Sequence, residues 1–472
     1  MNAQNWVIFK FGGSVLRSVE RIQQITEWVP KRTSDRTVIV VSAMEGITDR
    51  LLEVIELAKN RNESYKDKLQ LILNNQLGII DDLLQSLKER KALQETICKD
   101  CKDIFDLLHA TFLSQTCSDQ VRELICGYGE LWSAQIFAGM FAAKQFDVLY
   151  LDARQVLVVE QGEIGPNIQW ELSKQNLESK LTSFRGQLIV VTGFIASTVQ
   201  GIPTTLGRNG SDFSASIFGV LLNAKEITFW KDVDGVLSAD PKRVPDARVL
   251  NELSYHEASE LAYFGAKVIH PRTLAPAIRS EIPIRIRNAF HPDRTGTLIH
   301  KSSLSSDPVK GFSTVEDVAL VNLEGTGILG VPGVANRLFG ALKAVGISVI
   351  MISQASSEHS ICFVIPKQQA GEAVKAVKDV FYLEILKGSI QTIDVDDHCC
   401  VLAAVGDNMA FQPGIAGRFF SSLGEARINI RAIAQGSSER NISIVISQED
   451  ATRALRVVHS TFYLSRQTLS MG

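Results

Sequence analysis

Short β-branched runs alternating with helical periodicity open the chain. Residues 6–11 and 37–41 are apolar runs closed by small or polar residues, the pattern of strands buried on both faces. Residues 19–29, between them, carry apolar side chains at helical spacing. From residue 51 to about 144 the pattern is helical almost throughout, with leucines and isoleucines three and four apart. Strand-like runs return at residues 147–151, 187–192, 226–230 and 282–286, most of them separated by helical stretches. This alternation predicts an α/β domain on a mostly parallel sheet, with ligands held beyond the carboxyl ends of the strands.

The last third repeats itself. Residues 318–366 align with 399–447 at a constant offset and without gaps, the mark of a duplicated unit. Pro332-Gly-Val-Ala matches Pro413-Gly-Ile-Ala, and the segment from Ile352 to Ile361 matches that from Ile433 to Ile442. Each copy reads strand, loop, helix, strand, turn, strand, with a further helix after it, which is a ferredoxin-like βαββαβ unit. Two tandem copies are expected to pair, often across a dimer, and to enclose small-ligand sites. A serine-rich linker is expected over residues 300–312, between a first domain at 1–299 and modules at 313–392 and 393–472. Gly325-Thr-Gly-Ile-Leu-Gly330 fits the G-x-G-x-x-G dinucleotide pattern. The aligned second copy reads Gly406-Asp-Asn-Met-Ala-Phe411, and the strand spacing is that of hairpins, so no nucleotide is expected there.

Composition narrows the function classes. The chain has 472 residues, 45% of them hydrophobic and 21% charged, with a formal net charge of −3. That describes a globular protein of two to four domains and gives no support to nucleic-acid or anionic-membrane binding. No apolar run reaches the roughly 18 residues of a membrane span. The first strand begins almost at Met1, which leaves no room for a targeting peptide and predicts a cytoplasmic protein. Seven scattered cysteines read as reduced thiols. Cys98 and Cys101 form a lone CxxC on a helical stretch, without a second pair or a histidine cluster, so no metal site is expected.

The segment from Thr204 to Ala215 is the richest in candidate chemistry, with two threonines and two glycines around Arg208 and Asp212, directly before a helix. Glycine lets backbone N–H groups approach a ligand, and a helix start favours anions. Arg208 offers a planar fork for carboxylate or phosphate, and Asp212 can order cations around phosphate oxygens. The plain structural alternative is a glycine turn with Ser211 or Asp212 capping the helix. Lys10-Phe-Gly-Gly-Ser14 follows the first strand: Gly12 and Gly13 let the backbone pass a phosphate, Ser14 can cap the next helix, and Lys10 places a charge beside it. Ser42 and Thr48 follow the second strand and offer hydroxyls to a substrate, Thr48 alternatively as a helix cap. Glu130 in Gly127-Tyr-Gly-Glu130 offers a carboxylate to an ammonium group, or is a first-turn glutamate favoured by the helix dipole. Lys231 and Asp232 follow a strand, Lys242 lies in the turn Asp240-Pro-Lys-Arg243, and Lys267 stands near a helix end.

Taken in order, Lys10-Phe-Gly-Gly-Ser, Ser42 to Thr48, Gly-Glu130, Thr204 to Asp212, Asp-Val-Asp-Gly235, Asp-Pro241 and the segment from Tyr263 to Pro271 resemble aspartokinase, in the amino-acid kinase fold. The two C-terminal repeats resemble its ACT regulatory modules, and the resemblance spans essentially the whole chain. It implies transfer of the ATP γ-phosphoryl group to the β-carboxylate of L-aspartate, with Mg²⁺. It further implies that Lys10 stabilises the transferring group and that Asp212 orients that lysine and metal-bound waters. Arg208 would clamp a substrate carboxylate, with Ser42, Thr48, Glu130, Phe194 and Ser211 completing the aspartate pocket and Glu130 taking the α-amino group. Lys10, Gly12, Gly13, Ser14, Lys231, Asp232, Leu237, Lys242 and Lys267 would line the ATP side. The family usually has threonine at Lys231 and an aromatic residue at Leu237, so the adenine side is expected to be rearranged.

ACT modules typically bind an amino acid at their interface. The resemblance places the effector at Val349, Ile350, Gln354 and Gln435, the two glutamines being equivalent in the repeats and suited to a zwitterion. The segment from Ile352 to Ile361 resembles the threonine-sensitive class, which includes bifunctional aspartokinase–homoserine dehydrogenases, and implies threonine as effector before lysine. Phe462 to Arg466 resembles the junction leading into the dehydrogenase half. A homo-oligomer through the ACT modules is expected. Two other readings stand beside this one: a different amino-acid kinase, acting on glutamate, acetylglutamate, carbamate or a nucleotide, and a non-catalytic amino-acid sensor.

Overall fold

A computed structural model describes all residues except 1–5, 33–35, 163–164, 266–267, 269, 303–306, 329–330, 355–359 and 464–472. The chain forms two compact units, one of Met1–Val236 with Ile269–Lys301 and the other of Leu237–Val268 with Ser302–Gly472. The second unit therefore draws in a stretch that the sequence places inside the first domain.

The first unit begins with β1 (Trp6–Phe11), α1 (Val19–Arg32) and β2 (Arg36–Val41). Four helices follow without a strand: α2 (Ile47–Lys59), α3 (Tyr65–Leu83), α4 (Leu87–Ser114) and α5 (Asp119–Ala143). Next come β3 (Val148–Leu151), β4 (Val158–Glu160), β5 (Asn167–Ile168), α6 (Trp170–Leu181), β6 (Leu188–Thr192), β7 (Ile195–Thr198), β8 (Pro203–Thr205), α7 (Gly210–Leu221) and β9 (Glu226–Lys231). In the central sheet β11 (Ile284–Asn288), β9, β1, β2, β6 and β3 lie side by side and parallel, and β12 (Thr297–His300) pairs antiparallel with β11. A second sheet, β5-β4-β7-β8, was not foreseen; its strands are two to four residues long, too short to show a period.

Strand phase decides what faces what. Phe9 and Phe11 of β1, Ile39 and Val41 of β2 and Trp230 of β9 join the core formed with α1 to α5. Alternation then turns Lys10 and Lys231 to the opposite face, where α7 packs on β1 and β9. Phe11 stacks with Trp230 at 6.3 Å, and Trp28 tilts against Trp230 at 4.5 Å. A dense aromatic floor thus lies under the strand ends.

In the second unit β10 (Glu252–Ser254) leads into α8 (Tyr255–Tyr263), which begins with a capping box between Ser254 and Glu257. The repeats follow as β13 (Gly311–Glu324), α10 (Val334–Ala344), β14 (Met351–Gln354), β15 (Ser360–Pro366) and α11 (Ala370–Val380), with the short α12 (Tyr382–Leu386). The second copy is β16 (Thr392–Val405), α13 (Ile415–Glu425), β17 (Ala432–Ala434), β18 (Asn441–Ser447) and α14 (Ala451–Tyr463). This is the βαββαβ pattern twice, in one sheet ordered β14-β15-β13-β16-β18-β17.

The copies share strands. The first part of β13, Gly311 to Val315, pairs with the end of β16, Val401 to Val405, while its later part pairs with both β15 and the start of β16. The register shifts between Val315 and Leu320, where the strand passes from one copy to the other. Each four-stranded half thus contains a segment from the other repeat, while the two hydrophobic cores stay separate. Of the expected linker, Val309 and Lys310 are buried and β13 has begun by Gly311. Gly325 and Gly327 press on Ser389 and Ile390; a Cβ on Gly325 would lie 2.3 Å from the Ser389 carbonyl oxygen. Close chain packing accounts for the described glycines of the G-x-G-x-x-G pattern, whose last two residues lie outside the described residues.

The stretch from Leu237 packs against these repeats, with Ala239 and Val244 inside the second copy's core. The Ser238 hydroxyl and His459 Nε2 on α14 are 2.9 Å apart, and the Ser238 carbonyl accepts the Phe312 N–H at 2.8 Å. Glu257 accepts the Asp407 N–H at 2.9 Å. Tyr263 donates its hydroxyl to the Ile350 carbonyl at 2.8 Å.

Candidate functional site

At the carboxyl ends of β1, β2, β6 and β9 the first unit opens into a cleft of about 440 Å³, where an open parallel sheet is expected to bind. Lys10, only 4% exposed, points from the end of β1 toward Asp212, which is 6% exposed in the first turn of α7. The Lys10 Nζ lies 2.6 Å from Asp212 Oδ1, and Lys231 Nζ lies 2.9 Å from Asp212 Oδ2. One carboxylate therefore holds two ammonium groups. Burial alone would raise the Asp212 carboxyl, but the Lys10 and Lys231 charges outweigh it and hold it well below the usual carboxylate range.

Glu130 forms a second buried acid, 4% exposed. Burial pushes its carboxyl up to about 8, against hydrogen bonds from the backbone, including that of Ala43, and the opposing pull of Lys10. Its Oε2 has no hydrogen-bond partner among the described residues. A buried carboxyl with a spare oxygen is a receptor for a cationic donor, since ionisation becomes favourable only when a positive group arrives. Glu130 sits in the middle of α5, which corrects the first-turn reading and removes a helix-dipole explanation.

Glycines and positive-φ residues shape the walls. A Cβ on Gly12 would meet Lys10 Nζ at 3.3 Å, and one on Gly13 would meet the Ala43 carbonyl oxygen at 3.0 Å. Phe194 adopts φ 67°, and its N–H donates to the Ser214 hydroxyl at 3.0 Å. Gly210 permits the close approach of that ring, because a Cβ there would lie 2.7 Å from Phe194 Cδ2.

Three capping expectations are overturned. Ser14 lies in a turn, and the next helix starts at Val19, where the Ser18 hydroxyl accepts the Arg21 N–H at 3.4 Å. Thr48 is inside α2, whose cap is Gly46 at φ 75°. Ser211 and Asp212 lie inside α7, whose cap is Asn209 at φ 57°. Freed from capping, these side chains belong to the cleft.

The cleft gathers Lys10, Gly12, Gly13, Ser14, Ser42, Thr48, Glu130, Phe194, Arg208, Ser211, Asp212 and Lys231. Asp232 is exposed and does not line it. Leu237 and Lys242 belong to the second unit, and Lys267 lies outside the described residues. The sequence reading missed Gly46 and Asn209, whose left-handed conformations turn the chain around the cleft; the Asn-Gly pair at 209 is the signal that could have shown one of them. In the repeats, Gln354 and Gln435 are exposed, Val349 and Ile350 half-buried. The Ser353 hydroxyl donates to the Ile433 carbonyl at 2.8 Å, which brings edge strands β14 and β17 together.

Residues 5–288 match the amino acid kinase family, and residues 321–381 and 402–462 each match the ACT domain. The chain is 44% identical to the Arabidopsis thaliana chloroplastic bifunctional aspartokinase/homoserine dehydrogenase 1, over 99% of this chain and 52% of that protein. It thus spans about half the length of such relatives. It is 30% identical to the aspartokinase of Schizosaccharomyces pombe, over 97% of this chain and 92% of that one. The fold is similar to that of E. coli aspartokinase III in complex with aspartate and ADP, with a TM-score of 0.80, 27% identity, and coverage of 97% of this chain and 99% of that one. The same E. coli enzyme in complex with lysine and aspartate gives a TM-score of 0.77 at 27% identity, again covering 97% and 99%.

Proposed function

The chain belongs to the amino acid kinase family and, within it, to the aspartokinases, and from that premise we propose that it transfers the γ-phosphoryl group of ATP to the β-carboxylate of L-aspartate. The product is 4-phospho-L-aspartate, which opens the route to the aspartate-derived amino acids. The observation that carries this reading is the pairing of two buried centres in one cleft: the two lysines on Asp212 and the buried carboxyl of Glu130 with its unpaired Oε2.

A carboxylate nucleophile is already ionised at neutral pH, so the reaction needs no general base. The barrier is the approach of one anion to another, and the cleft answers it with fixed positive charge and close backbone. Lys10 stabilises the transferring group, with Gly12 and Gly13 leaving room for its oxygens. Glu130 takes the α-ammonium group, Arg208 the α-carboxylate, and Ser42, Thr48, Ser211 and Phe194 close the pocket. Lys231 serves the nucleotide side. Magnesium, when bound, would neutralise phosphate oxygens of the nucleotide, and Asp212, the buried acid of the cleft, would help to hold it.

The ACT pair serves feedback control by an amino acid, threonine before lysine, at Val349, Ile350, Gln354 and Gln435. The contact of β14 with β17 supports a shared site. Ile352 and Ile433, each 46% exposed at equivalent places on those strands, support assembly of a homo-oligomer there. No described helix is long and apolar enough to cross a membrane. The seven cysteines are free thiols, which fits a reducing compartment such as the cytoplasm.

The test is ATP- and Mg²⁺-dependent trapping of acyl phosphate as hydroxamate, with aspartate against glutamate and with threonine or lysine added. Hydroxamate from aspartate is expected; its absence would refute the reaction, and unaltered turnover at high threonine would refute the effector. Glu130 supplies a further check. With burial pushing its carboxyl up to about 8, Glu130 is mostly protonated in the empty cleft at pH 7. Aspartate binding should then release a proton, seen as a buffer-dependent heat of binding that disappears in Glu130→Gln. Aspartate affinity should rise as pH climbs from 6 toward 8.

A further inference from the structure

The order of the central sheet assigns sides to the cleft. Lys10 stands on β1, between β2 and β6 on one hand and β9 on the other. The residues read as the amino-acid pocket, Ser42, Thr48 and Phe194, follow β2 and β6. Lys231 ends β9, on the far side of Lys10 from that pocket. In an in-line transfer the nucleophile and the leaving group lie on opposite sides of the phosphorus. If the nucleophile comes from the side of β2 and β6, the leaving group departs over β9.

Lys231 is built to change partners. Its backbone is fixed, because β9 pairs with β11 as far as Lys231 and the Ala289 N–H donates to the Lys231 carbonyl at 2.9 Å. Its side chain is the most accessible of the three, 18% against 6% for Lys10 and 8% for Asp212. Asp212 can neutralise only one of its two ammonium groups. The remaining positive charge sits in the wall of the cleft, where an anion is the favourable neighbour.

Resting on the aspartokinase reading above, we propose that Lys231 is a catalytic residue of the leaving-group side, paired with Asp212 in the empty cleft and transferred to the departing phosphate oxygen of the nucleotide during reaction. A β-carboxylate oxygen forms a bond to the γ-phosphorus while the bond from that phosphorus to the β–γ bridging oxygen breaks. The electron pair stays on the bridging oxygen, which becomes a terminal oxygen of ADP. No proton moves. Lys231 neutralises the charge gathering on that oxygen, and Lys10, still held by Asp212, stays on the group in flight.

The test uses the whole chain with Lys231→Met and Lys231→Arg. ADP titrated calorimetrically in EDTA reads the polyphosphate contact without metal or turnover. Lys231→Met should bind ADP about tenfold more weakly and lose about 10- to 100-fold in kcat, with the KM for aspartate within about twofold. Lys231→Arg should recover most of both losses, since it restores the charge but not the geometry. ADP affinity and kcat within twofold of the parent in Lys231→Met would overturn the proposal. So would a loss confined to the KM for aspartate, which would put Lys231 on the other side. If the parent protein binds ADP but forms no aspartyl hydroxamate, the acceptor reading fails by itself, and the ADP arm still decides the contact of Lys231.

Discussion

The two ACT repeats are one pattern placed in two surroundings. Each lays an arginine over a phenylalanine at the same point of the unit, Arg337 over Phe381 at 4.5 Å and Arg418 over Phe462 at 4.7 Å. Each buries matching helix positions, Val377 in the first and Val458 in the second. They part at the next residue, Lys378 in one copy and His459 in the other. Lys378 is exposed, whereas His459 is 1% exposed, against Ser238 and stacked on Tyr463 at 4.5 Å. The following tyrosines differ in the same sense. Tyr382 is 63% exposed, while Tyr463 donates to the Lys310 carbonyl. Internal packing is thus written by the repeat, and the outer face by what it touches: α14 has the stretch from Leu237 to lie on.

That contrast can be broken most sharply by exchanging the divergent residues. His459→Lys would bury an ammonium group beside the Arg248 charge, which outweighs the pull of Asp246, and should cost about 3–5 kcal/mol, read as loss of amide exchange protection along α14. The reverse change, Lys378→His, should stay within about 0.5 kcal/mol on α11. Equal effects would refute the contrast. Ser238→Ala removes the partner of His459 and the acceptor of the Arg248 N–H, and should loosen α14 by about 1–3 kcal/mol.

A smaller effect should follow pH. Burial, then the charge of Arg248, lowers the His459 imidazole, with Asp246 pulling the other way. The unfolded chain therefore binds that proton more tightly than the folded one. The stability linked to His459 is complete above the ordinary histidine value near 6.5 and drains as pH falls below it. Urea titrations at pH 7 and pH 5.5 should show this loss in the parent and not in His459→Asn. The smallest change should be the most symmetrical: Arg337→Ala and Arg418→Ala should each cost about 0.5–1 kcal/mol, and a large difference between them would show that this arginine-on-phenylalanine contact is not equivalent in the two copies.

Much of this was legible because it is local. The apolar runs at 6–11 and 37–41 became β1 and β2, and the long leucine-rich stretch became α2 to α5. The motif residues Lys10, Glu130, Arg208 and Asp212 met in one cleft, because Lys10 stands on the parallel sheet, Glu130 and Asp212 lie on helices against it, and Arg208 is in the turn from β8 into α7. What escaped depends on partners far away in sequence. Glu130 looked like the start of a helix because its glycines seem to break one. Gly127 and Gly129 instead let α5 press on its neighbours, where a Cβ would meet Ile195 at 2.9 Å and Ala43 at 2.7 Å. The bond of Lys231 to Asp212 needed the phase of β9 against α7. The exchange of strands between the repeats was invisible, since an alignment shows that two units are alike and not which strands they lend each other.

The shared strands set an order of events during synthesis. Gly311 to Val315 leave the ribosome long before Val401 to Val405, their partners in β16. Until then the first of these segments has an open edge, and the start of the second copy cannot close. Neither repeat can be finished by its own translation, so the pair matures as one event once the second copy has emerged. A cut placed neatly between the copies should yield two incomplete sheets with exposed edges, which invite aggregation. Duplication copies a repeat as a unit, but the ribosome has to deliver both copies before either is whole.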